Sequence, residues 1–427
     1  MQDKQQQQKG KEIEKKRERN RKRNIIVIQQ KETNRTKGKL KKTEQNKEKK
    51  NRHSSLSMSQ SIDNNNDNIN EYRRLNYEAR LRDREEEYQK RIRTMNLLMD
   101  AAVKQQEQID NNNNNDNGKR QKSIGRIGVL VQNPYAYLTR AQMDKIRNIV
   151  EEIHVNGYAI LENFLSNEKV MYLRQEMDRL FNDGVKNMQR RFNRDTTKGD
   201  VTTHIHNAMA KTRALDDIIM EPMILGIIAG VLSPEFQLNT HVLSNPEPFS
   251  APQDLHQDDG QWRPKRPNQP LVCNTLFALD DFTKENGGTW IVPKSQTGME
   301  GIRPDIKQPG VLKYIEMKQG SVAIFDGSMF HAGGSNTTTD QSRRTINLNF
   351  LRSYLKTQHN QFIQISRQRI LEYPKQLQRL LGYHRANGIV GMADYQDPLK
   401  YLQKIVKHGD GKQYKFGMDY VVDGSKL

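Results

Sequence analysis

Two short stretches carry residue types that bind a divalent metal. DLHQDDGQW, Asp254 to Trp262, places Asp258 two positions after His256, with Asp259 beside it. VKHGDGK repeats the His-x-Asp spacing at His408 and Asp410. The chain has ten histidines, and at roughly a one-in-twenty chance of aspartate per position such a pair arises by accident about half the time. Taken alone, the pair is as readily a polar loop as a metal site. If DLHQDD is extended, side chains two apart share a face. His256 and Asp258 then point one way, and Gln257 and Asp259 the other. A facial iron site needs a third ligand, usually a second histidine. AIFDGSMFHAGGSN offers His331 just past an apolar strand, with Gly333 and Gly334 allowing close packing. VKHGDGK has no flanking apolar strand and no following histidine, and reads as surface loop.

Downstream of His331, SRRTINLNF alternates sharply. Arg344, Ile346, Leu348 and Phe350 take one face. Arg343, Thr345, Asn347 and Asn349 take the other. A β-sandwich enclosing a polar site wants the second set inside, which selects Arg343 as a guanidinium able to grip a carboxylate bidentately. Arg344 falls with the apolar set and reaches for solvent. The plainer reading makes both arginines surface charges at a strand entrance.

The elements that must position these residues are legible in outline. LTRAQMDKIRNIVEEIHVNG opens on a Thr139-x-x-Gln142 capping box, carries Met143, Ile146, Val150 and Ile153 on one face, and stops at Asn156-Gly157. YAIL reads as a strand. Ser166 caps a second amphipathic helix through Val170, Leu173, Met177 and Leu180. After Leu232, short apolar or alternating runs are separated by Pro, Gly and Asn, the pattern of a β-sandwich or barrel. RQRILEYPKQLQRLLGY closes the domain with helix. The expected class is mainly β with flanking helices.

The ends of the chain differ from this body. Residues 1–57 hold 20 Lys and Arg against 7 Asp and Glu, a net +13 of the chain's +19. Such a segment buries too little apolar surface to offset its ordering entropy. KKRERNRKR, Lys15–Arg23, could bind nucleic acid or serve as a nuclear signal, but no basic patch with interleaved aromatics supports nucleic-acid binding elsewhere. The expected organisation is a disordered basic and Asn-rich tail over 1–70, a charged helix over 71–109, an Asn-rich linker over 110–128, one domain over 129–420, and a tail over 421–427. In the charged helix, Tyr88, Ile92, Met95, Met99 and Ala102 form an apolar stripe that fits a short self-associating coiled coil or a solvated single helix. Cys273 is the single cysteine, which excludes an internal disulfide and a CxxC zinc site and fits a reducing compartment. No apolar run is long enough for a membrane span, and Ile25–Ile28 is too short for a signal-peptide core. Ser425-Lys426-Leu427 matches the address read by the peroxisomal import receptor.

GYAILENFLS, LHQDDG, LDDFTKENGGTWIVPKSQ, HAGG and RRTINLNF occur in an order and spacing that resemble the phytanoyl-CoA dioxygenase (PhyH) family of Fe(II)/2-oxoglutarate oxygenases, over residues from about 135 to 405. The resemblance implies a double-stranded β-helix, the jelly-roll barrel of the cupin type. It implies Fe(II) on His256, Asp258 and His331, the distal carboxylate of 2-oxoglutarate on Arg343, O2 as second co-substrate and ascorbate as a stimulant. By position it places Gln257 and Asn274 at the co-substrate, although Asn274 departs from the expected residue type. His241 either faces the same pocket or packs in the core. His204 and His206 of THIHN fall in a predicted loop before the barrel, with contact to substrate or co-substrate the lesser expectation. The implied reaction is hydroxylation of an unactivated C–H. Related halogenases carry a small residue where Asp258 stands, so this carboxylate argues for oxygenation. Together with Ser425-Lys426-Leu427, the resemblance points to 2-hydroxylation of a fatty acyl-CoA in peroxisomes. The alternatives are a cytosolic or nuclear oxygenase of a non-lipid small metabolite, and a non-catalytic interaction protein on the same barrel.

Overall fold

The computed structural model describes residues 70–108, 133–182, 190–191, 202–408, 415–416 and 420–421. The basic tail, both Asn-rich spacers, Asp410 and Ser425-Lys426-Leu427 lie outside the described residues. The chain divides into two units, Met1–Asn76 and Tyr77–Leu427. Of the first, only helical residues 70–76 are described; the second carries the fold discussed below. No described helix is long and apolar enough to cross a membrane.

A helix over 70–108 (α1) is followed by α2, Arg140–Asn156. The Thr139 hydroxyl accepts from the Gln142 amide N–H, and the Gln142 side chain returns to the Thr139 backbone N–H, so the capping box forms as expected. Gly157 ends the helix at φ 90°, where a side chain would be strained and would also collide with Gln296 and Met329. The next residues, Tyr158–Leu161, form β1, and Asn167–Asn182 form α3 with its four expected apolar residues buried.

Seven strands build the main sheet. They are β1, β2 (Arg190–Arg191), β3 (Thr202–His206), β4 (Phe236–Pro246), β5 (Val272–Ala278), β8 (Val322–Asp326) and β10 (Thr345–Arg352). Their order is β1-β8-β5-β10-β4-β3-β2, every pair antiparallel. Three two-residue strands, β6 (Trp290–Ile291), β7 (Lys313–Tyr314) and β9 (His331–Ala332), make a second sheet in the order β7-β6-β9. Leu276, Ala278, Ala323 and Phe325 of the large sheet pack with Ile291 of the small one in a core between the sheets. The opposite face of the large sheet, including Ile346, Leu348 and Phe350, packs into a separate core with the helices. This two-sheet arrangement with flanking helices is the β-sandwich or barrel that the alternating pattern predicts, and it fits the double-stranded β-helix that the resemblance implies.

Three elements add to or depart from the sequence reading. PMILGIIAGV, Pro222–Val231, is a helix (α4) apolar on all sides, and it is buried as such a helix must be. It touches α2 through Gly226 and Gly230, where an added Cβ would stand 2.8 Å from Ile146 and 2.6 Å from Val150. RQRILEYPKQLQRLLGY forms two short helices, Arg367–Glu372 and Lys375–Leu380, because Pro374 cannot continue the first. The third difference is α1. Its stripe is neither solvated nor presented for a coiled coil: Tyr88, Met95, Met99 and Ala102 are buried in the same core as α2 and α4. The expectation of self-association through this stripe is corrected accordingly, since burial against its own domain satisfies the apolar face within one chain.

Candidate metal centre

His256 and His331 belong to different segments but form an antiparallel backbone pair. Each amide N–H donates to the other's carbonyl at 2.9 Å. Such a pair sets both side chains on one face, and the ring centroids are 4.5 Å apart. Immediately after His256 the chain turns. Residues Asp258–Trp262 form a 3-10 helix rather than continuing the extended run. The turn brings Asp258 back over the two imidazoles, with Oδ1 3.5 Å from His256 Nε2 and Oδ2 3.5 Å from His331 Nε2. Ligand atoms of the three residues all lie within 4.8 Å of one another, and among the described residues this is the one such group of three or more metal-binding side chains. Of the two aspartates, the structure groups Asp258 with the histidines. Asp259 is buried on the other side, where Arg266 and Asn268 hold its carboxylate. His408 ends a helix rather than lying in a loop.

The donors are prepared for a cation. His256 Nδ1 lies 2.7 Å from the Asp254 carbonyl, and His331 Nδ1 lies 2.9 Å from the Met329 carbonyl. A carbonyl only accepts, so Nδ1 carries the proton and Nε2 offers its lone pair. Burial pushes the Asp258 carboxyl up, but His331 and His256 beside it hold it well below the usual carboxylate range, so it is ionised at neutral pH. Behind it runs a line of amides. Asn239 donates to Asn349 at 2.8 Å, Asn349 to Asn274 at 2.5 Å, and Asn274 to Asp258 Oδ2 at 2.8 Å. Asn274 is fully buried.

Arg343 is the second charged group of the site. It lines the same cavity, of about 240 Å³, as His256, Asp258 and His331. It is 3% exposed, its Nε and Nη1 have no protein acceptor, and its guanidinium carbon sits 4.1 Å above the centre of the Phe282 ring. Burial pushes its pKa down to about 10, which leaves it charged at neutral pH. Thr345 and Asn347 share its face and line the cavity, as the alternation predicts. Arg344 points the other way into ion pairs with Asp280 and Asp178.

Two assignments change role. Gln257 does not line the cavity: its amide donates to the Ser328 carbonyl at 2.5 Å, because it projects opposite to His256 and Asp258. Asn274 also stays out of the cavity lining and instead fixes the Asp258 carboxylate. Replacing Asn274 by alanine is expected to weaken metal binding roughly 10- to 100-fold, the usual cost of losing an outer partner of a ligand; a Co(II) titration of the variant measures it. THIHN is not a loop. As β3 it joins the edge of β4 and sends His204 and His206 into the cavity wall. His241 lies behind them, fully buried, with its ring 5.1 Å from His359. Burial lowers the pKa of His204 and of His359 to about 4, so these two rings are neutral at physiological pH. Strand alternation in TTHIH was the available signal for His204 and His206. Nothing local in the sequence marks His359.

With this geometry in place, comparison with known proteins is direct. The sequence model of the family described as "Phytanoyl-CoA dioxygenase (PhyH)" matches residues 153–345. "Dioxygenase swnH2" of Arthroderma benhamiae is 33% identical over 162 residues, 36% of this chain and 51% of that protein. "Dioxygenase andF" of Emericella variicolor is 28% identical over 263 residues, 57% of this chain and 86% of that protein. The chain spans about half the length of the first of these relatives. Among solved structures, the epimerase SnoN in complex with Fe3+, alpha ketoglutarate and nogalamycin RO aligns at 15% identity and TM-score 0.41, over 49% of this chain and 85% of that one.

Proposed function

From the match of residues 153–345 to the model of the phytanoyl-CoA dioxygenase family, we propose that the protein is an Fe(II)/2-oxoglutarate-dependent dioxygenase that hydroxylates an unactivated C–H of a compact small molecule. The observation that carries this reading is the pairing of two complementary features in one cavity. The donor set of His256, Asp258 and His331 suits non-haem Fe(II) and leaves coordination positions open. The buried Arg343, its Nε and Nη1 without a protein acceptor, suits the distal carboxylate of 2-oxoglutarate. When bound, iron with 2-oxoglutarate and O2 supplies the oxidising chemistry. The chain's own residues do the rest. Nδ1 contacts to Asp254 and Met329 hold both imidazoles with Nε2 presented. Asn274 fixes the rotation of the carboxylate. Arg343 fixes the far end of the co-substrate, and the remaining wall receives the substrate.

Size supports the substrate class. A volume of about 240 Å³ lies below the roughly 300–1,000 Å³ of drug-sized ligand pockets, and the co-substrate must share it. Away from the metal, the wall presents Thr202, His204, His206, Ser244 and Gln253 among its polar residues. A fatty acyl-CoA hydroxylated at its 2-position is the second reading, and only the carbons beside its thioester would enter this cavity.

The test is anaerobic titration with Fe(II) and 2-oxoglutarate, followed by a substrate screen that reads succinate release. Appearance of a visible metal-to-ligand charge-transfer band is expected. Its absence, together with no succinate release in air, leaves the barrel as a non-catalytic scaffold. Turnover stimulated by acyl-CoAs alone, and by no compact metabolite, selects the second substrate reading.

A further inference from the structure

We infer that Arg84, on the helix N-terminal to the family-matched region, acts with Asp326 as a positioning pair that sets the geometry of the metal centre; this rests on the metal-site reading above. Arg84 and Asp326 are 242 residues apart in sequence, yet their side chains meet at 2.7 Å with exposures of 2% and 1%. Asp326 is the last residue of β8 and opens the turn that leads to His331. Its Oδ2 takes Arg84. Its Oδ1 accepts from both the amide N–H and the hydroxyl of Ser328, at 2.9 and 2.7 Å. The backbone N–H of Asp326 donates to the Gly157 carbonyl at 2.9 Å, so this turn is tied to the end of α2 as well.

The carbonyls of the turn then reach the metal ligands in sequence. Gly327 accepts from the Asp258 amide N–H at 2.8 Å. Ser328 accepts from Gln257, the residue between His256 and Asp258, at 2.5 Å. Met329 accepts from His331 Nδ1 at 2.9 Å. A Cβ at Gly327 would stand 2.7 Å from Val272, so the turn is closely packed against β5. Arg84 holds a second segment too, donating to the Asn268 carbonyl, and Asn268 in turn grips Asp259 at 2.9 Å. One guanidinium therefore braces both chain segments that deliver the ligands, 256–259 and 326–331.

A buried ion pair is a poor source of net stability, because desolvating both charges consumes most of the attraction. Apolar residues would attach α1 to the core as well, and the Met95 and Met99 contacts already do so. What the pair adds is orientation, since a paired, hydrogen-bonded charge has one geometry where an apolar contact tolerates several.

The test uses the full chain and Co(II) as a spectroscopic probe of the site. Arg84→Met and Asp326→Asn are each expected to lower Co(II) affinity roughly 10- to 100-fold and to change its visible d–d spectrum. Arg84→Lys, which keeps the charge, is expected to restore part of the affinity. The double variant is expected to be no worse than the weaker single one, because both remove the same contact. Met99→Ala on the same helix is expected to lower Tm and leave Co(II) affinity and spectrum unchanged. Wild-type affinity and spectrum in folded Arg84→Met or Asp326→Asn overturn the positioning role, as does an equal loss of affinity in Met99→Ala. Should Arg84→Met fail to fold, Asp326→Asn and Arg84→Lys carry the test. A wild-type protein that takes up no Co(II) overturns the metal reading itself, a result distinct from failure of the pair.

Discussion

His331→Ala is expected to abolish stoichiometric metal binding and 2-oxoglutarate turnover while leaving the barrel folded. The loss is expected to exceed the roughly 10–100-fold that removal of an outer partner costs, because one of three donors is gone and Asp258 keeps its charge without a full set of neighbours. The fold survives because the contacts between the His331 and His256 segments are made by backbone atoms, which alanine retains. What is lost in packing is the contact of the His331 ring with Phe325, at 4.8 Å, and with the His256 ring, at 4.5 Å. A stability cost of about 1–3 kcal/mol is the usual range for such a change. Co(II) or Fe(II) calorimetry alongside far-UV circular dichroism measures both halves. Tight one-equivalent metal binding by the folded variant would show that His331 is not a ligand.

Arg343→Met is expected to produce opposite changes in stability and function. Without ligand, the wild-type chain carries a buried guanidinium with unsatisfied Nε and Nη1 donors, each such group costing about 1–3 kcal/mol. Methionine fills a similar volume without that cost, so the ligand-free variant is expected to melt higher than the wild type. Binding of 2-oxoglutarate is expected to weaken by roughly 2–5 kcal/mol, the range for removing one partner of a buried charged pair, or about 30- to several thousand-fold. Thermal melts with and without 2-oxoglutarate read both effects. An unchanged 2-oxoglutarate-dependent rise in Tm, or an unchanged KM, would reject the assignment of the carboxylate to Arg343.

Much of this site was legible because its information is local. A period of two separates Asp258 from Asp259 and Arg343 from Arg344, and the structure keeps both choices. The assumption behind the first was only partly right. His256 is extended, but the chain enters a 3-10 turn at Asp258. That turn, rather than a continuing strand, lifts the carboxylate over the imidazoles, and it is why Gln257 serves the Ser328 carbonyl instead of the co-substrate. Residues whose roles depend on distant partners were not legible. The stripe of α1 was read from its apolar members alone, and Arg84 and Arg91 were not singled out. They occupy buried positions of the same face, and only the far end of β8 reveals why an arginine stands at 84. His204 and His206 were placed in a loop because THIHN precedes the barrel, and the alternation in TTHIH was not used. Its strand character comes from pairing with β4.

The distance between Arg84 and Asp326 also sets a timetable for synthesis. The helix carrying Arg84 leaves the ribosome well before its counter-charge exists, with 242 residues between them. At roughly 5–20 residues per second, the nascent chain waits on the order of 10–50 s before Asp326 is even made. During that interval Met95, Met99 and the fully apolar α4 have no finished sheet to cover them. The core that buries Met95, Met99 and α4 is therefore completed only after β8 and β10 have been made.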